Sequence, residues 1–365
     1  NTLGYSHPEV DDAVKKIITD GNMSTLNAPE EVELTEKLVN LHPWADMARF
    51  ARSGGEANSV AIRIARAASG KDNVAFCGYH GWHDWYLSAN IQSEDNLESH
   101  LLSGLSPRGI PSGLAGTSIP FRYNKVRELE KIVEDNSGEI AAIVLEPIRN
   151  SIPEDNFLEK VKALAKEAEA VLIFDEISSG FRLNSAGAHM KFGIEPDIAV
   201  FSKALGNGYP IASIIGKRNV MDAAQTTFIS STTWTERVGF VAALATLDKM
   251  EKENVQEKLL KYGNMLRSGW TNLAEKNGLK IKITGIISIP NFSFLYDNSL
   301  AIQTLFTQEM LYRGFLARTG TAVTYAYTEE IINDYLVNVD EVFKIISKAL
   351  KNNSEFFSNS FISKL

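Results

Sequence analysis

Four stretches of the sequence place reactive or ligand-holding side chains where a fold could use them. The first, S-G-G-E-A-N at residues 53–58, stands directly ahead of a segment with helical periodicity. Gly54 and Gly55 would let the backbone approach a ligand closely, and a helix N-terminus aims unpaired N–H groups at an anion, so a phosphate suits this turn. An ordinary N-cap by Ser53 accounts for the same residues. The second, V-L-I-F-D-E, sets Asp175 at the end of an apolar run. A carboxylate there needs a cationic or N–H partner, because isolated burial would neutralise it. Arg182 and the protonated ring nitrogen of a cofactor are both candidates.

In the third stretch, D-I-A-V-F-S-K-A-L-G-N-G, Lys203 follows a strand-like run and precedes Gly206 and Gly208. An apolar surround would lower its pKa and free the lone pair, as a Schiff-base amine requires; a surface charge is the plain alternative. Ile211 stands where a dinucleotide fingerprint would have its third glycine, which counts against a nicotinamide site. The fourth, C-G-Y-H-G-W-H-D-W-Y at 77–86, crowds aromatic and imidazole rings that could stack on a planar ligand or pack as a loop. His80 and His83 have a metal-like spacing, but no cysteine or carboxylate completes a ligand set, so no metal is expected.

These residues need a scaffold. The 365 residues are 44% apolar and 22% charged, which is ordinary globular composition. The net charge of −8 repels nucleic acid, and no apolar run reaches the length of a membrane span. Cys77 is the only cysteine, so no internal disulfide can form, and a cytoplasmic location is expected. A buried small residue is the ordinary role for Cys77, and a nucleophile the rarer one.

Ala57, Val60, Ala61, Ile64, Ala65 and Ala68 lie on one helical face, closed by Gly70. Runs at 140–145 and 171–174 flank a second helical pattern marked by Phe157, Leu158, Val161, Leu164, Ala165 and Ala168. Strand, helix and strand in that order make a βαβ crossover and a mostly parallel sheet, with 197–201 and 211–215 as further strands. A long helix spans about 236–252. Strands at 280–287 and 291–296 and helices near 300–312 and 339–351 then follow. The expected class is α/β, with a large domain over 1–254 and a smaller α+β domain over 255–365.

Together the four stretches resemble the class III, fold-type I pyridoxal-phosphate aminotransferases, through the S-G-x-E-A turn, the Y-H-G loop and the segment 172–208. That segment includes the 28-residue interval between Asp175 and Lys203 (203 − 175 = 28). Within the family the chain looks most like the glutamate-1-semialdehyde 2,1-aminomutase branch, through G-Y-H-G-W-H-D and F-D-E-I-S-S-G-F-R. The resemblance implies pyridoxal 5′-phosphate as cofactor and small amine and carbonyl compounds as substrates. Lys203 would carry the cofactor and move the proton, while Asp175 would pair with the pyridine nitrogen. Tyr79 would stack on one ring face and Ile177 press the other. Gly54, Gly55 and Ser53 would hold the phosphate, and His80 joins the cofactor-binding set. Thr232 would reach the phosphate in a neighbouring subunit, which implies a homodimer with shared sites. Glu146, in L-E-P, would order the surrounding loops.

Family members carry several dozen residues before the stretch that matches residues 3–10, so a segment ahead of Asn1 is expected. The first ~25 residues would then be the end of that segment. Three departures bear on the reading. Gly55 replaces a frequent Thr or Ser. Residues 148–150 are Ile-Arg-Asn where Gly-Asn is expected, and residues 317–322 lack the acid typical of the aminomutase. Arg149, Arg182 and Arg318 are candidate substrate anchors, each with a structural ion pair as its alternative. Trp82, Trp85 and Trp234 could line a larger pocket or pack in the core. Amino transfer is therefore expected, with an intramolecular aminomutase as the first alternative and a non-catalytic relative as the second.

Overall fold

The computed structural model describes residues 1–93, 96–98, 100 and 104–351. Two compact units divide at Glu253/Asn254. The first opens with helices α1 (Pro8–Asp20) and α2 (Pro29–Leu41), strand β1 (Met47–Ala51), helix α3 (Gly54–Ser69) and strand β2 (Asn73–Cys77). The short α4 (Asp84–Leu87), β3 (Ser118–Pro120), α5 (Val126–Asp135), β4 (Ile140–Leu145), α6 (Phe157–Glu167) and β5 (Val171–Asp175) follow. It closes with β6 (Ile198–Phe201), β7 (Ala212–Gly216), a single turn α7 (Arg218–Met221) and α8 (Arg237–Lys252).

The seven strands form one sheet in the order β1-β7-β6-β5-β4-β2-β3. β2, β3, β4, β5 and β6 pair in parallel, whereas β7 is antiparallel to both β6 and β1. Six strands therefore point the same way, and the expected mostly parallel sheet is present. Every residue of β4 and β5 is buried, as a strand covered on both faces requires.

Alternation along the strands divides the core in two. Val74, Phe76, Ala142, Val144, Val171, Ile173, Ile198 and Val200 pack on one face with Ala57, Val60, Ala61, Ile64 and Ala65 of α3. Ala75, Cys77, Ile143, Leu145, Leu172 and Phe174 face the other way, toward Phe157, Leu158, Val161 and Ala165 of α6. Cys77 is thus a core residue whose thiol is pushed up by burial, which removes the nucleophile reading. Trp85 is likewise core, while Trp82 is exposed.

A buried polar knot ties the end of α2 to the loop between β5 and β6. His42 donates from Nδ1 to the Leu38 carbonyl (2.8 Å), and its Nε2 accepts from the Gly187 N–H (2.9 Å). Burial lowers its pKa to about 4. Because the unfolded value is about 6.5, the stability His42 contributes is present above that pH and is lost as pH falls toward 4, by about 3 kcal/mol. Urea unfolding near pH 7 and near pH 4 should show this loss. A His42→Gln protein should decline less steeply, and an unchanged slope would contradict the assignment.

The second unit holds α9 (Val255–Lys276), β8 (Ile281–Thr284), β9 (Asn291–Phe294), α10 (Ser299–Tyr312) and α11 (Glu329–Lys351). β8 and β9 form an antiparallel pair, with Trp270, Phe292, Phe306 and Phe343 in a ring cluster. β8 is shorter than its apolar run suggests because Gly285 turns the chain at a φ of 82°. α11 begins ten residues before the expected start, since exposed Asn333 and Asp334 interrupt the apolar pattern without breaking the helix. Among the described residues no helix is long and apolar enough to cross a membrane.

Candidate active site

Because six strands share a direction, their carboxyl ends line one edge of the sheet, where open α/β sheets place ligands. Five strand ends deliver the residues singled out from sequence. β1 leads to Ser53, β2 to Tyr79, β4 to Glu146 and β6 to Lys203, while β5 ends on Asp175.

Asp175 is buried and holds three hydrogen bonds. Oδ2 accepts from His80 Nδ1 (2.8 Å) and Asn58 Nδ2 (2.8 Å), and Oδ1 from the Ile177 N–H (3.0 Å). Burial by itself would raise its pKa, but the donors, led by His80, outweigh it and hold the carboxyl below its usual range. The partner is His80 and not Arg182. The next residue, Glu176, accepts from the backbone N–H and Nδ1 of His189 (both 2.8 Å) and from Ser179, securing the turn that follows.

His80 is fully buried. Besides its bond to Asp175, its Nε2 lies 3.2 Å from the Cys77 carbonyl, so both ring nitrogens are engaged within the protein. Its influence on a ligand runs through Asp175. Asn58, which the sequence reading passed over, also donates to the His80 carbonyl (3.2 Å) and locks loop and carboxylate together. The available signal was a polar residue on the buried face of α3.

Lys203 sits in the turn after β6 at a φ of 43°, a conformation disfavoured for a side-chain-bearing residue and typical of functional turns. Its Nζ donates to Ser178 Oγ (2.8 Å). The residue is open to solvent on one side, yet surrounding protein desolvates the ammonium, and Arg149 repels it. Both effects lower its pKa against the pull of Asp175 and Glu146.

Ser53 caps α3, its Oγ accepting from the Glu56 N–H (3.4 Å), while Glu56 Oε2 accepts from the Arg52 N–H (2.7 Å). Among the described residues the N–H groups of Gly54 and Gly55 have no hydrogen-bond partner and remain for an anion. Ile177 packs directly on Gly54, where an added Cβ would lie 2.6 Å from its Cδ1. A Gly54→Ala protein should therefore push Ile177 aside and weaken cofactor binding about tenfold or more. Equilibrium titration of the apoprotein measures this, and unchanged affinity would contradict the contact.

Tyr79 is half-buried, edge-on to Tyr86, and its backbone N–H donates to Glu146 Oε2 (3.4 Å). Glu146 Oε1 accepts from Arg149 Nη1 (2.7 Å), and burial raises the Glu146 pKa. Arg149 is thus in an ion pair close to the cleft. Arg182 is buried, with Nε and Nη1 lacking a hydrogen-bond partner among the described residues, and burial lowers its pKa to about 10. Arg318 is exposed in the second unit. Thr232 is exposed at the head of a short 3₁₀ turn, residues Thr232–Thr235. Arg52 fastens that turn by donating to the carbonyls of Thr233 (2.8 Å), Trp234 (2.8 Å) and Glu236 (2.7 Å). Trp234 donates from Nε1 to Glu56 Oε1 (3.1 Å).

The donor set is that of an anionic, planar, carbonyl-bearing ligand: free N–H groups for a phosphate, an ionised carboxylate for a ring cation, and a desolvated amine. Comparison with known proteins decides the family, since the model of class-III aminotransferases matches residues 1–350. The chain belongs to the class-III aminotransferase family.

Among its relatives, the 3-aminobutyryl-CoA aminotransferase of Cloacimonas acidaminovorans is 31% identical over 93% of this chain and 83% of its own length. The glutamate-1-semialdehyde 2,1-aminomutase of Syntrophobacter fumaroxidans is 32% identical over 93% and 84%. In structure, the FumI protein of Sphingopyxis sp. MTA144, solved in its pyridoxal-phosphate internal aldimine form, superposes with a TM-score of 0.87. It is 25% identical, covering 97% of this chain and 84% of that one. This class-III aminotransferase thus has the fold, amino-transfer activity and pyridoxal 5′-phosphate cofactor that its sequence motifs imply.

Proposed function

We propose that the protein moves an amino group between a small amine and an aldehyde or ketone, using the strand-end cleft and Lys203. The observation that carries this reading is an amine with a lowered pKa, held after β6 by a strained turn, at the same sheet edge as an ionised Asp175. Pyridoxal phosphate, when bound, supplies an electron-accepting ring that stabilises negative charge at the substrate carbon.

Each side chain then has a task its surroundings support. Asp175, kept ionised by His80, Asn58 and the Ile177 N–H, holds a proton on the pyridine nitrogen. Gly54 and Gly55 N–H groups bind the phosphate, with the Ser53 hydroxyl free to donate as well. Tyr79 and Ile177 would flank the ring of the cofactor. Lys203 Nζ, whose pKa is lowered by burial and by Arg149, would hold the cofactor and would take and return the proton at the substrate carbon. Ser178 Oγ steadies the amine while it is free. Glu146, paired with Arg149 and the Tyr79 N–H, orders the loops around the cleft.

Thr232 is exposed on an Arg52-fastened turn, which suits a contact to the phosphate bound by a second copy, so the working unit proposed is a homodimer. We place the protein in the cytoplasm, since a chain with a single cysteine forms no internal disulfide and suits a reducing compartment. Mixing cofactor-loaded protein with single amines tests the activity. A true donor should bleach the cofactor's visible absorption and release the matching carbonyl compound. A broad amine panel that leaves the absorption untouched would defeat the reading.

A second reading, an aminomutase that returns nitrogen to the same carbon skeleton, is favoured by relatives such as that of Syntrophobacter fumaroxidans. Labelled nitrogen retained in an amino-aldehyde substrate without any separate donor would select it.

A further inference from the structure

The loop after β2 crosses directly over the first turn of α3. A Cβ at Gly81 would lie 3.1 Å from the Gly55 Cα, so the two backbones nearly touch. This crossing lowers the ring of His83 onto Gly55: a Cβ built there would meet both Cδ2 and Nε2 of His83 at 3.3 Å. Gly55 is the second residue of α3 and has no left-handed φ that would call for glycine. A side chain there would press on the imidazole, so glycine leaves the ring its place.

The hydrogen bonds around His83 leave one ring nitrogen available. Ser59 Oγ lies 3.0 Å from the Gly55 carbonyl and shares a hydrogen bond of 2.7 Å with His83 Nδ1, so Nδ1 is engaged within the protein. Nε2, on the edge that meets Gly55, has no hydrogen-bond partner among the described residues, and Gly55 belongs to the first turn of α3, where the N–H groups of Gly54 and Gly55 also lack partners among those residues.

We propose that His83 is a binding residue for the cofactor phosphate, its Nε2 sharing one proton with a phosphate oxygen and replacing the side-chain hydroxyl that Gly55 lacks. This rests on the reading that the phosphate occupies the start of α3. The resulting hydrogen bond is charge-assisted.

Dissociation constants of the apoprotein for pyridoxal phosphate and for phosphate-free pyridoxal, taken side by side, test the assignment. His83→Asn keeps a hydrogen-bonding group for Ser59 and removes only the Nε2 edge. It should weaken pyridoxal phosphate about 10- to 100-fold and leave pyridoxal unchanged, and His83→Ala should do the same. Gly55→Thr alone should also weaken the phosphorylated ligand, because its side chain meets the ring, whereas Gly55→Thr combined with His83→Ala should recover most of the loss. Equal weakening of both ligands would reduce His83 to a packing role and overturn the proposal, as would full retention of the phosphate preference in both His83 variants. Wild-type protein that binds the two ligands equally would instead refute the phosphate site at α3, and the His83 assignment with it.

Discussion

Replacing Lys203 with alanine should lower the rate of amino transfer by about four orders of magnitude or more while the fold survives. The side chain is open to solvent on one side and makes one hydrogen bond, to Ser178 Oγ, so its removal leaves no buried charge unpaired. Its loss removes both the attachment point and the proton carrier at the substrate carbon, and positioned acid–base catalysis alone is worth about 10²–10⁴-fold. Methylamine added in solution should restore a small part of the rate, because a free amine can accept the proton without being held. Single-turnover measurements on the variant with saturating cofactor give the number. A loss below about tenfold would remove Lys203 from the chemistry.

Asp175→Asn is expected to cost about 10²–10³-fold in turnover, the usual consequence of removing one preorganised charge from a developing transition state. The structure explains why amide cannot stand in for carboxylate. Oδ2 accepts from two donors, His80 Nδ1 and Asn58 Nδ2, and an asparagine NH₂ placed there would set donor against donor. If the amide turns over, its NH₂ meets the Ile177 N–H instead. Either way the pyridine nitrogen loses its anionic partner. An Asn58→Ala protein should show a milder version of the same defect, since one of the three donors is lost. Spectra of the bound cofactor against pH separate a charge effect from simple unfolding, because only the former shifts the ring's protonation.

The pair that matters most was readable from sequence because each residue ends or follows a buried strand. β4, β6 and the first four residues of β5 are continuous apolar runs, and a charged residue at or just past their carboxyl ends stands out against them. β1 did not stand out, since Arg49 interrupts it at the sheet edge, and β3 has only three residues. Asn58 was hidden as one polar residue within a helix whose apolar face dominated the pattern. Arg52 was hidden for a different reason: its partners lie 181 to 184 residues away, and no local spacing encodes a contact of that range. The imidazole of His80 was assigned to the ligand by its place in the loop. Only its two hydrogen bonds reveal that it acts on Asp175.

Borohydride reduction of the cofactor-loaded protein, followed by digestion and peptide mass mapping, tests the central claim most directly. The account predicts a stable pyridoxyl phosphate adduct on the peptide containing Lys203, at one per chain. An adduct on a different lysine, or none at full cofactor occupancy, would contradict it.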